Sequence, residues 1–413
     1  MLFLLSRTNR REKFAGIKSF KSRNYSSKLE TQARAKRLMN IPNATLLPDF
    51  YKRALEQSST VARARRIVLE QGWNSTSYQI INLGISRWFS KAGDAVVGFV
   101  ASNKRRIVAG APICAKERLP EIAAEFEADA ARENEGVCYF CAEARLESMY
   151  ARSPNYSKIL LGAQPVWQPK NWAAVTTKHK SLRAQLNRAR NKGVIIKEWS
   201  NEKAHDHPAL KQCLGEWLAT KGLPPLAFLV EPNTLTRLFD RRIFVAELNG
   251  EPIGFVVLSP VAQRNGWLFE QFPHRPGAPN GTVELMIDAA MKTLATENFD
   301  YATLGLSPLS QRARIESFRN PFWLRVLLAW MRKHGQRFYN FDGLDAFKAK
   351  LRPEKWEPVF AVSNEPQISV RTLYGIAAAF SDNAPVKLIL GGGIRALKTE
   401  MNWLRQRLTN PHS

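Results

Sequence analysis

The chain is short of acids and of cysteine, and it has no long apolar run. Its 413 residues hold 36 Asp and Glu against 61 Lys and Arg, which gives a formal charge of +25 and a pI near 10.1. An imbalance of that size favours a polyanionic partner, either nucleic acid or an anionic membrane surface. The four cysteines, Cys114, Cys138, Cys141 and Cys213, are too few for a disulfide framework, so a reducing compartment is expected. Cys138 and Cys141 form one C-x-x-C inside the strand-like run Val137–Glu143, where residues three apart point to opposite faces. A second pair is absent, so both thiols read as core and no metal site is expected. No run of about 18 apolar residues occurs, so no membrane-spanning helix is expected. Among the six histidines no spacing suits a Ser-His-Asp triad or a zinc site.

What is present is a globular composition. Hydrophobic residues make up 45% of the chain, with 11 Trp and 22 Phe, which excludes a largely disordered polymer. The length suits two or three domains. Residues 1–60 read as a basic leader, partly disordered, ending in short helices. The first 28 residues are rich in Arg, Lys and Ser with the single acid Glu12; this fits a transit peptide or a plain basic tail, and the plain tail is preferred. Residues 61–177 carry a hairpin over Asp94–Cys114, a helix over Arg118–Asn134, and strands at Val137–Glu143 and Ser157–Val166.

Residues 201–363 repeat that order. Ile243–Leu248 and Pro252–Leu258 flank an Asn249-Gly250 turn. A strand starts at Gly266, a helix covers Thr282–Glu297, a strand covers Tyr301–Leu306, a helix covers Phe322–His334, and a last strand covers Trp356–Ser363. Two copies of hairpin, helix and strand predict tandem α/β units. In the extension 364–413, Ile394, Leu397, Met401, Leu404 and Leu408 recur at helical steps beside Arg395, Lys398, Arg405 and Arg407. Such a basic amphipathic helix lies on an anionic membrane or docks on its own domain.

Between the two units the acids vanish. From Ser148 to Lys197 there is no Asp or Glu, and there are ten cations. Overlapping its end, residues 178–200 read as a basic linker helix and strand, with Leu182, Leu186 and Ala189 as a narrow apolar stripe and Gly193 as the stop. That leaves Lys178, Lys180, Arg183, Arg188, Arg190 and Lys192 for solvent or a partner. A solvated face ordinarily mixes signs. This one suits a phosphate backbone, whose counterions are released on contact.

The second unit is organised around Gly266–Glu284. An apolar run, Trp267-Leu268-Phe269, carries the acid Glu270; a loop then holds Arg275 with Pro276, Gly277 and Pro279, and Asn280-Gly281-Thr282 opens a helix. A helix starting after such a loop presents unpaired N–H groups and the positive end of its dipole, which suit a phosphate or a developing oxyanion. A plain strand-to-helix connection capped by Asn280 or Thr282 would read the same way.

Several motifs occur in a fixed order: Asn187-Arg188-Ala189-Arg190 with Gly193, Gly254-Phe255, Gly266-Trp267, and Arg275-Pro276 through Asn280-Gly281 with Glu284. Leu304-Gly305-Leu306-Ser307-Pro308-Leu309 and Phe347-Lys348-Ala349-Lys350, before Trp356-Glu357-Pro358, complete the set. From Ala62 to Val362 the chain resembles the soluble C-terminal domain of phosphatidylglycerol lysyltransferases. The resemblance implies an α/β fold of two tandem acetyltransferase-like (GNAT) units joined by the basic helix. It also implies transfer of an aminoacyl group from charged tRNA to a lipid hydroxyl. Aminoacyl-tRNA and an anionic lipid or membrane surface would be the partners, with no metal and no cofactor beyond the donor substrate. The expected place is the cytoplasm, with peripheral attachment at the inner face of the membrane in addition. Where the family usually shows Asp and, three residues on, Arg, this chain has Glu270 and Pro273, so the amino acid carried and the lipid acceptor stay open.

Such a transfer needs alignment, help with one proton, and stabilisation of a tetrahedral oxyanion. On this resemblance Glu270, partly desolvated, would act as general base or hold the α-ammonium of the aminoacyl group. Arg275, Lys348 and Lys350 would face the terminal phosphates or the oxyanion, and Asn280, Gly281 and Glu284 would bind substrate. Plainer roles compete: a structural bridge between Glu270 and Arg275, complementing of the helix dipole by Glu284, and solvation of Lys348 and Lys350. Two other functions compete as well. One is an acyl-CoA-dependent GNAT N-acyltransferase, whose usual Arg-x-x-Gly-x-Gly/Ala loop residues 275–281 match poorly. The other is a non-catalytic tRNA- or membrane-binding protein.

Overall fold

A computed structural model of the chain describes residues 49–220, 228–229, 234–313, 320–322, 325 and 341–380. The chain divides into two compact units, residues 1–63 and 64–413. Of the first, only the start of helix α1 (Asp49–Gln71) is described. That helix begins within the span read from sequence as the basic leader and continues beyond it. The rest of the leader, most of the expected helix at 322–334 and the amphipathic segment at 394–408 lie outside the described residues.

In the second unit β1 (Ser86–Phe89), β2 (Val96–Ser102) and β3 (Arg105–Ala109) run antiparallel in turn. Helix α2 (Leu119–Arg132) then crosses to β4 (Gly136–Ala142), which is parallel to β3. In α2, Leu119, Ile122, Ala123, Phe126 and Ala130 fall on one stripe and are all buried, so the apolar spacing both forms the helix and glues it to the sheet. The short α3 (Ala144–Tyr150) leads into the long β5 (Ser157–Trp167). After α4 (Trp172–Lys178) and the basic helix α5 (Lys180–Asn191) come β6 (Ile195–Trp199), α6 (Asn201–Ala204) and α7 (Pro208–Ala219). The hairpin of β7 (Arg242–Leu248) and β8 (Glu251–Val261) follows, then β9 (Gly266–Phe269), α8 (Thr282–Thr296) and β10 (Tyr301–Thr303), parallel to β9. The remaining described elements are β11 (Ser307–Pro308), α9 (Phe341–Lys350), β12 (Lys355–Ser363) and α10 (Val370–Phe380).

The strands form one 12-stranded sheet in the order β1-β2-β3-β4-β12-β5-β10-β9-β8-β7-β6, with β11 beside β5. The repeated order is present, and the two halves also exchange strands. From the end of the second half, β12 pairs with β4 and runs along β5 from Lys355↔Val166 to Ser363↔Ser157. In return β5, from the first half, pairs with β10. One half of the core therefore mixes Ile122, Phe126 and Tyr139 with Phe360 and Val362. The other packs Leu182, Leu186 and Ala189 of α5 against Leu285, Met286 and Ile287 of α8, so the apolar stripe read from sequence is the buried one. Cys138 and Cys141 are both core, and burial pushes the Cys138 thiol up to about 12, leaving it inert.

Arg264, in the turn between β8 and β9, ties the halves together. It donates to Glu357 of β12 at 2.8 and 2.7 Å and to Glu143 at 3.1 Å, and its guanidinium lies 3.7 Å over the Tyr301 ring. Burial alone would raise Glu357, but the hydrogen bond and charge of Arg264, with Lys355, hold it down to about 2. A depressed carboxylate adds stability above its unfolded value near 4.5 and loses it as the pH falls from there toward 2. Wild type is therefore expected to lose about 2 kcal/mol more than Glu357→Gln over that window, after allowance for partial exposure, in urea titrations at stepped pH.

Candidate active site in the second half

The parallel pair β9 and β10 is short. Pairing runs from Gly266↔Tyr301 to Leu268↔Thr303 and stops. Beyond it, Gly305 turns with φ +67, and the carbonyls of Leu304, Gly305 and Leu306 accept hydrogen bonds from Lys348 Nζ at 2.8, 2.9 and 2.9 Å. The two strands therefore part where Phe269 and Glu270 emerge. In the first half the equivalent pair, β3 and β4, continues through Ala109↔Phe140, and the next carbonyl, Cys141 O, accepts from Asn74 Nδ2 at 2.7 Å. That opening is stoppered by the protein's own amide.

Alternation along β9 sends neighbours to opposite faces. Phe269 packs with α8, and Glu270 faces the other side. There its Oε1 accepts from Arg241 Nε at 2.8 Å and from Ser259 Oγ. Arg241 also donates to Asn82 Oδ1 at 3.0 Å and to Arg237 O at 2.6 Å. The side chains of Arg241 and Glu270 are only 1% and 6% exposed. Desolvation of Glu270 matches the sequence expectation; its cation does not, for Arg241 and not Arg275 makes the pair. Arg275 anchors its backbone N on Ile253 O, while its Nε stands 4.0 Å from Glu216 of α7 and makes no hydrogen bond.

On the α8 side, Lys350 Nζ meets Glu284 Oε1 at 2.5 Å. Two residues assigned separately thus form one pair, with Glu284 buried in the first turn of the helix. Lys348, expected in contact with phosphate, oxyanion or solvent, is instead buried, with its donors on the three carbonyls. Asn280 is exposed, and Thr282 Oγ1 donates to Pro279 O. Gly281 is buried at φ +97, and a Cβ there would lie 2.1 Å from the Gln185 carbonyl of α5. Glycine at this position lets α5 and α8 touch. Gly281→Ala is expected to cost about 2–3 kcal/mol, from left-handed strain and the backbone clash, seen as a lowered urea midpoint.

The basic helix is fastened through a residue the sequence reading missed. Asp288 of α8 is buried and accepts from Trp172 Nε1 at 3.0 Å, Arg190 Nη2 at 2.6 Å and Lys292 Nζ at 2.9 Å. Arg190 is thus an anchor, and Arg183 is half-buried, donating to the Thr176 and Thr177 carbonyls. Lys178, Lys180, Arg188 and Lys192 are exposed. Arg241 and Ser259 were missed too. The pairings Arg242↔Leu258 and Leu258↔Phe269 carry the signal, because they bring Arg241, Ser259 and Glu270 to one end of three adjacent strands.

The family described as "Phosphatidylglycerol lysyltransferase, C-terminal" matches residues 65–363. The chain belongs to that family. It is 24% identical over 317 residues to the phosphatidylglycerol lysyltransferase of Bacillus subtilis (strain 168), covering 74% of this chain and 35% of that protein. It thus spans about a third of that relative's length. A solved C-terminal domain of a putative lysylphosphatidylglycerol synthetase from Agrobacterium fabrum superposes with TM-score 0.66 at 21% identity, over 79% of this chain and 99% of its own. L-PGS from Bacillus licheniformis superposes with TM-score 0.62 at 20% identity, over 81% and 95%. The mixed α/β fold with its large sheet is thereby shared with both solved structures. Pro273 offers no cation to Glu270, and the guanidinium that reaches the acid is that of Arg241, just ahead of β7.

Proposed function

We propose that this chain moves an aminoacyl group from aminoacyl-tRNA to a lipid hydroxyl. The observation that carries the reading is the parted β9–β10 pair, with cations and the Glu284–Lys350 pair on its α8 face and Glu270 on the opposite face. The charged tRNA end approaches from the α5 and α8 side, where Lys178, Lys180, Arg188 and Lys192 meet its phosphates. The acceptor hydroxyl arrives on the Glu270 side. Glu270 takes the proton as the hydroxyl oxygen attacks the aminoacyl carbonyl, and the tetrahedral oxyanion collapses to expel the ribose oxygen, which recovers the proton. Oε1 is held by Arg241 and Ser259, which leaves Oε2 for the substrate. Arg275, with an unsatisfied Nε, is the donor placed for an anionic group. Among the described residues no helix is long and apolar enough to cross a membrane.

An acyl-CoA donor is less well served. A buried carboxylate, Glu284, occupies the first turn of α8, where a pyrophosphate would seek positive potential.

Total lipids from cells with and without the chain, separated by thin-layer chromatography, test the proposal. A new ninhydrin-positive lipid is expected, and its formation in vitro should stop on RNase treatment. Product that survives RNase and needs acyl-CoA would establish the N-acyltransferase. No product from folded protein with charged tRNA would leave a binding protein. Glu270→Gln is expected to slow transfer by roughly 10²–10⁴-fold.

A further inference from the structure

On the Glu270 side, two loops meet at the surface. Residues after the short turn Ser77–Ile81 lie against residues 237–241: Arg237 Nη1 donates to Ile81 O at 3.0 Å, Arg241 Nη2 to Asn82 Oδ1 at 3.0 Å, and Tyr78 Oη to Phe239 O at 2.6 Å. From this junction Leu83 and Phe239 turn outward, 52% and 57% exposed. Three arginines belong to the same junction. Arg87 holds the Ile80 and Asn82 carbonyls, Arg65 pairs with Asp240, and Arg66 is exposed on the same turn of α1 as Arg65. Burial, with the like charge of Arg237 added, lowers Arg87 to about 10. Asp240 is shared by Arg65 and Tyr78.

We propose that this patch, Leu83 and Phe239 with the positive charge of Arg65, Arg87 and Arg237 in the same junction and Arg66 exposed next to Arg65, seats the chain on an anionic lipid bilayer. Arginines at the level of the headgroups meet lipid phosphates, while two large apolar side chains enter the boundary with the acyl region. An RNA would answer the charge and leave Leu83 in water. Arg241 joins the patch to Glu270, so the bilayer lies on the face where the acceptor hydroxyl is needed. In that respect the inference rests on the proposed transfer; the binding itself does not.

Sedimentation of the full chain with phosphatidylcholine vesicles, with and without phosphatidylglycerol, tests it. Wild type should bind the anionic vesicles. The double variant Leu83→Ser/Phe239→Ser should bind them at least about tenfold more weakly, and Arg66→Glu several-fold more weakly. Both should keep the wild-type melting temperature, because the replaced side chains face water. Phe322→Ser, which removes an apolar side chain 74% exposed elsewhere, should change nothing. Wild-type vesicle binding by the folded double variant would overturn the proposal, and so would an equal loss in Phe322→Ser. A double variant that loses tRNA in a gel shift but keeps vesicles would make the patch an RNA surface, which also overturns it. Loss of vesicle binding by the double variant, in a chain that makes no aminoacyl lipid, would support the patch while removing the transferase reading.

Discussion

Arg241→Ala is expected to lower folding stability by about 3–5 kcal/mol and to abolish transfer with it. The reason is solvation. Glu270 is almost fully enclosed, so removal of its guanidinium leaves a carboxylate with no charge to balance it and little water to replace one. The carbonyl of Arg237 and the amide oxygen of Asn82 lose their donor as well. Urea denaturation measures the loss. A second variant separates stability from chemistry: Arg241→Met combined with Glu270→Met leaves no buried charge and should recover most of the midpoint while remaining inactive. A wild-type midpoint for Arg241→Ala alone would show that the pair is not buried in solution.

Lys348→Met should be comparably severe, at about 3 kcal/mol or more. Three carbonyls in one turn lose their donor, and an unsatisfied buried acceptor costs about 1–3 kcal/mol. The turn at 304–306 would then be free to close on β9, so transfer should fall beyond what unfolding explains, measured at a temperature where the variant is still folded. Burial lowers Lys348 to about 7, against the opposing pull of Asp345. A depressed lysine burdens the native state fully below pH 7. Relief comes as the pH rises toward the ordinary value of 10.5, because the unfolded chain keeps the proton longer. The stability gap between wild type and Lys348→Met should therefore widen between those limits. A gap independent of pH would mean that Lys348 stays charged in its carbonyl cage throughout.

The local grammar of the chain was legible because it depends on neighbours. Alternation marks β7 and β8, the stripe Leu182, Leu186, Ala189 marks the buried side of α5, and the run without acids marks its outer side. The motifs from Asn187 to Pro358 sufficed for the family and, with it, the α/β fold. The partners of the site residues were not legible in the same way. Glu270 and Arg275 are close in sequence, which made a bridge between them plausible, yet strand geometry turns Arg275 toward Glu216 of α7 and carries Arg241 in from another strand. Lys348 and Lys350 look alike as two helical lysines. One is enclosed by the 304–306 carbonyls and the other meets Glu284, because their side chains leave α9 in different directions.

By itself, then, the sequence determined the kinds of element, their order, the repeated half and the sign of the surface between the halves, since each follows from backbone periodicity or from counting charge. Tertiary structure alone decided that β5 and β12 change places, that β9 and β10 part around Lys348, and that Arg241 answers Glu270. Each of these depends on pairing between strands far apart in the chain. Their geometry is set by which apolar faces can be buried together, a condition that no single stretch of residues contains.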